Sequence, residues 1–171
     1  MESSGLKFRK SEVKDFDEIY SLYKMTIDSE AGAICLWDDD YPSKQLISED
    51  IASGGGYCLE DADGIAAACY AGRRFPVEIT SWKYSPKNPA YFARLVVHPS
   101  RSGKGVGKLL VQHILAELKR LGFDGVRGFV VQQNKVALKL YAAFGFEITH
   151  ISDAFDDGVK LFVHEYNYPK Q

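Results

Sequence analysis

Apolar positions along the chain switch between two spacings, and each switch marks an element. Leu6 to Arg9 alternates as a short first strand. Phe16, Ile19, Tyr20, Tyr23 and Ile27 then recur at three- and four-residue spacing, which predicts a helix. Asp15 stands as its cap, and Glu18 three places on completes a capping-box pattern. Ser29 to Pro42 shows neither period and reads as a connection. Ser43 is placed to cap a second helix carrying Leu46, Ile47 and Ile51, ended by Gly54-Gly55-Gly56. Tyr57 to Glu60 and Ile65 to Tyr70 flank Asp61-Ala62-Asp63-Gly64, a hairpin signal. Ala71 to Asn88, with Pro76 and Pro86, has no clear period and reads as a binding loop or lid, long enough to hide a short strand.

From Ala90 the pattern is unbroken. Tyr91 to Val97 is rich in aromatic and β-branched residues, and Pro99 stops it. Val106, Leu110, Ile114, Leu118 and Leu121 form a helical stripe that ends at Gly122. A strand and another helix follow, the helix opened by Asn134 as cap and closed by Gly145. Glu147 to Ile151 and Val159 to Tyr166 bracket Asp156-Asp157-Gly158 as a last hairpin with a long connection. The predicted order is β-α-α-β-β-β-α-β-α-β-β, an α/β chain with a mixed sheet.

Composition narrows the field. The chain has 171 residues, 46% of them hydrophobic, enough for one well-buried domain spanning 1–171. A net charge of −2 gives no footprint for nucleic acid, and no apolar run reaches membrane-spanning length. The N-terminal MESSGLKFRK lacks the apolar core of a secretory signal, so a cytoplasmic location is expected. Cys35, Cys58 and Cys69 show no Cys-x-x-Cys spacing and read as reduced thiols. The histidines show no ligand spacing, so no metal is expected.

Between the strand at Val97 and the helix at Val106 lies the chemistry. Ser102-Gly103-Lys104-Gly105-Val106-Gly107-Lys108 places glycines at alternate positions before a helix N-terminus. The first N–H groups of a helix lack intrahelical acceptors, and the helix dipole favours an anion there. Glycine lets a phosphate approach without meeting a Cβ, and Lys104 and Lys108 add positive charge. The ATP-type loop fails, because Ser102 stands where its first glycine belongs and Leu109 where a magnesium-holding Ser or Thr belongs. The dinucleotide fingerprint fails at its last glycine, which makes a Rossmann-type enzyme a distant reading.

Leu95-Val96-Val97-His98-Pro99-Ser100-Arg101-Ser102-Gly103-Lys104-Gly105-Val106-Gly107 resembles the acetyl-CoA loop of the GNAT superfamily of N-acetyltransferases. Asn134-x-x-Ala137-x-x-x-Tyr141-x-x-x-Gly145-Phe146 resembles that family's second cofactor segment. One position departs: the family's leading Gln or Arg is Ser102 here, with Arg101 one place earlier. The resemblance implies a mixed sheet that splays after the fourth strand. It also implies acetyl-CoA as co-substrate, held by Leu95, Val97, the 102–108 loop, Asn134, Ala137 and Tyr141. The implied acceptor is a small-molecule amine or a protein amino group, and a homodimer is compatible with it. By the same resemblance the Val97 N–H faces the acetyl carbonyl and Tyr141 protonates the departing thiolate. On residue type alone, Tyr141 is a tyrosine packed on an amphipathic helix, and Asn134 is a helix cap.

The general base is open. The fourth strand carries no carboxylate, and His98, Glu78 or a water relay would each serve. Trp37, Tyr41, Trp82 and Tyr84 are candidates for an acceptor wall, and each alone is equally a packing residue. Asp38-Asp39-Asp40 reads as a solvated run that would attract a cationic amine such as a polyamine, an aminoglycoside or a lysine. A CoA-binding module without transferase activity is the alternative reading of the same residues.

Overall fold

The computed structural model describes residues 5–77, 82–152 and 159–169. In chain order its elements are β1 (Lys7–Lys10), α1 (Phe16–Ile27), α2 (Glu30–Cys35), α3 (Lys44–Ala52), β2 (Gly56–Asp61), β3 (Gly64–Gly72) and β4 (Pro89–Val97). Then come α4 (Val106–Arg120), β5 (Gly125–Val131), α5 (Lys135–Ala142), β6 (Glu147–Ser152) and β7 (Leu161–Asn167). Single 3-10 turns at Val13–Asp15 and Pro99–Arg101 precede α1 and α4.

The strands form one sheet in the order β1-β2-β3-β4-β5-β7-β6. All neighbours are antiparallel except β4 and β5. That parallel pair is short: only Pro89, Ala90 and Tyr91 lie opposite Gly125, Val126 and Arg127. Beyond Tyr91 the strands part, while β5 stays paired to β7 as far as Val131 opposite Leu161. The splay predicted by the resemblance is therefore present, as a fork between β4 and β5.

Two apolar clusters cover the faces of the sheet. Tyr57, Leu59, Ala67, Phe92 and Val126 pack with Val106, Leu110, Ile114 and Leu118 of α4 and with Tyr141 of α5. Ile19, Leu22 and Tyr23 of α1 and Ile47 and Ile51 of α3 pack on Cys58, Ile65, Ala68 and Val96. Along β2, Tyr57 and Leu59 go to one cluster and Cys58 to the other, as in a strand buried on both faces; the alternation breaks at Ala66-Ala67 in β3 and between Phe92 and Leu95 in β4. On the far arm of the fork, Arg127 and Glu165 are buried as a pair, Nε to Oε1 at 3.0 Å. The remaining Arg127 donors reach the Tyr166 carbonyl at 2.9 Å and Asn167 Oδ1 at 2.8 Å.

Two expectations need correcting. The 29–42 connection contains α2: Ser29 caps it by accepting from the Ala31 N–H at 3.2 Å. Gly32 inside it hid the helix, and its role is close approach, since a Cβ there would sit 2.4 Å from the Ile27 carbonyl oxygen. The capping box before α1 is also displaced by one turn. Glu12 and Asp15 close it around the 3-10 turn, with Asp15 Oδ2 accepting from the Glu12 N–H at 2.7 Å. Glu18 instead accepts from the Ile65 N–H at 2.5 Å and so ties α1 to β3.

The described parts of the 71–88 segment contain no strand beyond Gly72 and are anchored. Glu165 Oε2 accepts from the Lys83 N–H at 3.0 Å, and Lys83 Nζ reaches Glu147 at 2.7 Å. Asp124 accepts from the Lys87 and Asn88 N–H groups at 2.5 and 3.0 Å. No helix among the described residues is long and apolar enough to cross a membrane. The Asp156-Asp157-Gly158 turn lies outside the described residues.

Candidate active site

Along the fork, β4 carries an extra residue opposite β3. Near its start, Tyr91, Phe92 and Ala93 face Gly72, Ala71 and Tyr70. The Ala71 N–H is bonded to the Gly55 carbonyl at 2.8 Å, so Ala71 turns toward β2 and its neighbours Tyr70 and Gly72 turn toward β4. Past the irregularity, Val96 and Val97 face Ala68 and Ala67, and the His98 N–H bonds the Ala66 carbonyl at 2.8 Å. Arg94, at the bulge, has φ of 56°. Had the first register continued, Val97 would face Ala66 and spend its amide on the ladder. With the extra residue, even-numbered amides meet β3, and the Val97 N–H points to the side from which β5 has departed. A peptide N–H aimed into an apolar fork is the donor an acyl oxygen requires.

The glycine loop sits at the open end of this fork. Val97 Cγ2, Leu140 Cδ2 and Leu95 Cδ2 lie 3.5, 3.7 and 3.8 Å from where a Gly107 Cβ would be. The loop thus meets the end of β4 and the last helix at one point. Gly103 and Gly105 hold φ of 73° and 81°, in the left-handed region, and both face open space. Gly105 is the N-cap of α4, and the Leu109 N–H is bonded to its carbonyl at 3.0 Å. The amides of Val106, Gly107 and Lys108 precede that bond and have no intrahelical acceptor. Ser102, Lys104 and Lys108 are exposed. Arg101 does not stand in for the missing family Arg. Its guanidinium bonds Asp61 at 2.8 Å and Asp63 at 3.0 Å in the β2–β3 turn.

Tyr141 spans the fork. Its ring lies edge-on to Phe92 of β4 and to His164 of β7, with centroids 5.6 Å away in both cases, and tilts against Phe146 at 5.5 Å. Burial pushes its hydroxyl well above the usual tyrosine range, so it stays protonated at neutral pH, as an ordinary tyrosine does. Asn134 caps α5, its Oδ1 accepting from the Ala137 N–H at 3.1 Å. The Asn134 amide also donates to Cys35 Sγ at 3.4 Å, which brings α2 to the start of α5. The sequence shows Cys35 only as a reduced thiol, because the short helix that sets it beside Asn134 has no apolar period. Burial raises its thiol pKa and keeps it from acting as a thiolate.

Other candidates fall elsewhere. His98 Nδ1 accepts from the Ser100 N–H at 3.2 Å and lies 2.8 Å from Ser100 Oγ, so the ring caps the 3-10 turn. Trp37 tilts against Tyr23 at 5.5 Å on the α1 side, and Tyr41 nearby is 41% exposed. Trp82 is on the other arm, over Arg127 at 5.4 Å and edge-on to Phe75 at 5.9 Å. Tyr84 binds Glu147 through its hydroxyl at 3.2 Å. Glu78 lies outside the described residues. In the acidic run, Asp38 Oδ1 accepts from the Asp40 and Tyr41 N–H groups at 2.9 and 3.0 Å, and Asp39 pairs with Lys24 at 2.6 Å. Asp38 and Asp39 are thus partly engaged, whereas the Asp40 carboxylate has no partner among the described residues.

Comparison with known proteins bears on this geometry. The sequence model of the "Acetyltransferase (GNAT) family" matches residues 15–146. A Salmonella typhimurium protein named L-methionine sulfoximine/L-methionine sulfone acetyltransferase is 28% identical over 68 residues, which span 40% of this chain and 37% of that protein. The fold matches a GNAT-family acetyltransferase from Streptococcus agalactiae with a TM-score of 0.76, at 18% identity over 98% of both chains. It also matches yncA from Salmonella typhimurium, solved with its cofactor acetyl-CoA, with a TM-score of 0.73 at 17% identity over 98% of this chain and 96% of that one. A family match that takes in the fork, the glycine loop and the helix of Tyr141 has one consequence: the chain belongs to the GNAT acetyltransferase family.

Proposed function

We propose that the protein is one domain that transfers an acetyl group from acetyl-CoA to a primary amine by direct attack, with both substrates bound together. The observation that carries the proposal is the Val97 amide, turned by the β4 bulge out of the ladder and into a fork whose mouth is the 102–108 loop. The residues present fit the cofactor. The left-handed glycines open the space in front of the Val106, Gly107 and Lys108 amides, where a pyrophosphate would be held beside Lys104 and Lys108. Leu95, Val97 and Ala137 line the apolar side below it.

Acetyl-CoA supplies a thioester carbonyl that is already activated toward an amine. The chain's task is to position the amine, bind the carbonyl oxygen and place a proton. The Val97 N–H donates to that oxygen as negative charge grows on it, a contribution of about 2.7–4 kcal/mol for one such donor. The Tyr141 hydroxyl donates to the sulfur that leaves. With His98 Nδ1 engaged as a cap, we assign removal of the amine's proton to water, the alternative being Glu78, which lies outside the described residues. Trp37 and Tyr41 would flank the incoming amine from the α1 side, and Trp82 from the other arm. Cys35, Cys58 and Cys69 are free thiols, which suits a reducing, cytoplasmic location.

The test is ligand stabilisation against heat. Acetyl-CoA or CoA at a hundred times its dissociation constant should add about 2.7 kcal/mol, whereas ATP and NAD should add nothing. A shift with ATP and none with CoA would overturn the assignment.

A further inference from the structure

We propose that Tyr23, supported by Asp50, is a positioning residue for the Val97 amide: it holds the Arg94 bulge in the register that turns this amide into the fork. The inference rests on the acetyl-transfer reading above. Arg94 occupies the left-handed region at φ of 56°, which a non-glycine residue inside a strand keeps only when its surroundings hold it there. Here it is held at both ends. Its carbonyl accepts from the Tyr23 hydroxyl at 2.6 Å. Its guanidinium is forked onto Asp50, Nε to Oδ2 at 2.9 Å and Nη2 to Oδ1 at 2.8 Å, with the Tyr70 ring 5.0 Å below.

All of these groups are buried: Tyr23 is 2%, Asp50 5% and Arg94 8% exposed. Tyr23 belongs to α1 and Asp50 to α3, so helices remote from the glycine loop fix the geometry at its mouth. If the bulge relaxed, the register of β4 would slip by one residue and Val97 would face Ala66, its amide lost to the ladder. Tyr23 also packs on Trp37, so the group that holds the oxygen-binding amide touches the candidate acceptor wall.

The test is Tyr23→Phe, which keeps the ring in the core and leaves the Arg94 carbonyl without its donor. We expect kcat to fall by about tenfold to a hundredfold, part of the 10²–10³ that one oxyanion donor gives. KM for acetyl-CoA should stay within about threefold, because the phosphate loop is untouched. Ile51→Val, which thins the same core without touching the bulge, should lower the melting temperature and leave kcat at the parent's value. In ¹⁵N spectra the Val97 amide should shift on acetyl-CoA binding in the parent and fail to shift in Tyr23→Phe. Parental kcat in a folded Tyr23→Phe, or a retained Val97 shift, would overturn the inference. If Tyr23→Phe does not fold, Asp50→Asn carries the same expectations. If the parent transfers acetyl to no amine, the functional reading fails, and the Val97 resonance alone decides the positioning role.

Discussion

Replacing Gly105 by valine separates what the loop does for the fold from what it does for the ligand. Gly105 sits at φ of 81°, and no atom lies within 4 Å of where its Cβ would be. The variant meets no clash, so its cost to folding is backbone strain alone, about 1–2 kcal/mol for an L-residue in the left-handed region. At roughly 2–4 °C per kcal/mol for a chain of this size, the melting temperature should drop by about 2–8 °C and the domain should remain folded. The isopropyl group then occupies the space in front of the Val106 and Gly107 amides. Binding of acetyl-CoA, followed by calorimetry, should weaken by at least about tenfold, or 1.4 kcal/mol. Gly107→Ala is the contrast. Its Cβ would meet Val97, Leu140 and Leu95 at 3.5–3.8 Å, ordinary contact, and a helical Gly→Ala change stabilises by up to about 1 kcal/mol. A folded Gly105→Val protein with parental affinity for acetyl-CoA would refute the phosphate-cradle reasoning.

Other residues make separate predictions. Tyr141→Phe should leave the affinity for acetyl-CoA near the parent's and lower turnover by about 10²–10⁴, the scale of general acid catalysis; turnover within threefold would return Tyr141 to a packing role. His164 is 2% exposed, neither ring nitrogen has a partner among the described residues, and burial holds its pKa down to about 4 from 6.5. Between those values the unfolded chain binds a proton that the native state refuses, so stability rises with pH across this window and falls on acidification. The gap, at 1.36 kcal/mol per pH unit, is roughly 3 kcal/mol. Melting curves of the parent should therefore drop between pH 6.5 and 4 more steeply than those of His164→Leu; parallel curves would contradict this. Glu165→Gln should leave the Arg127 charge buried without its counter-ion and cost about 3–5 kcal/mol in denaturant unfolding, and a loss below 1 kcal/mol would show that the pair is dispensable.

The elements were legible wherever one period dominated. The α4 stripe, the cap at Asn134 and the hairpin at Asp61–Gly64 came through because local chemistry and burial agree at those places. Helix α2 was not legible, since a six-residue helix cannot display an amphipathic face and its Gly32 suggests a loop. The glycine loop and Tyr141 were visible as motifs. The bulge that frees the Val97 amide was not, because a strand sequence does not mark which residue will be unpaired; pairing with β3 decides it. Arg94 was the available hint, a cation inside a strand that is otherwise apolar from Tyr91 to Val97. Its carboxylate partner, Asp50, lies forty-four positions away, and nothing local connects the two. His98 and Arg101 misled for a related reason: both look poised for a ligand, but His98 caps the 3-10 turn before the loop and Arg101 is tied to Asp61 and Asp63 of the β2–β3 hairpin.

The central claim is tested most directly by incubating the protein with acetyl-CoA and a panel of primary amines that includes amino acids, polyamines and peptides with free N-termini or lysines, and following the release of free thiol. The account predicts amine-dependent release of CoA matched by acetyl on the amine nitrogen, and loss of both in Gly105→Val. Tight binding of acetyl-CoA with no amine-dependent thiol across the whole panel would contradict it.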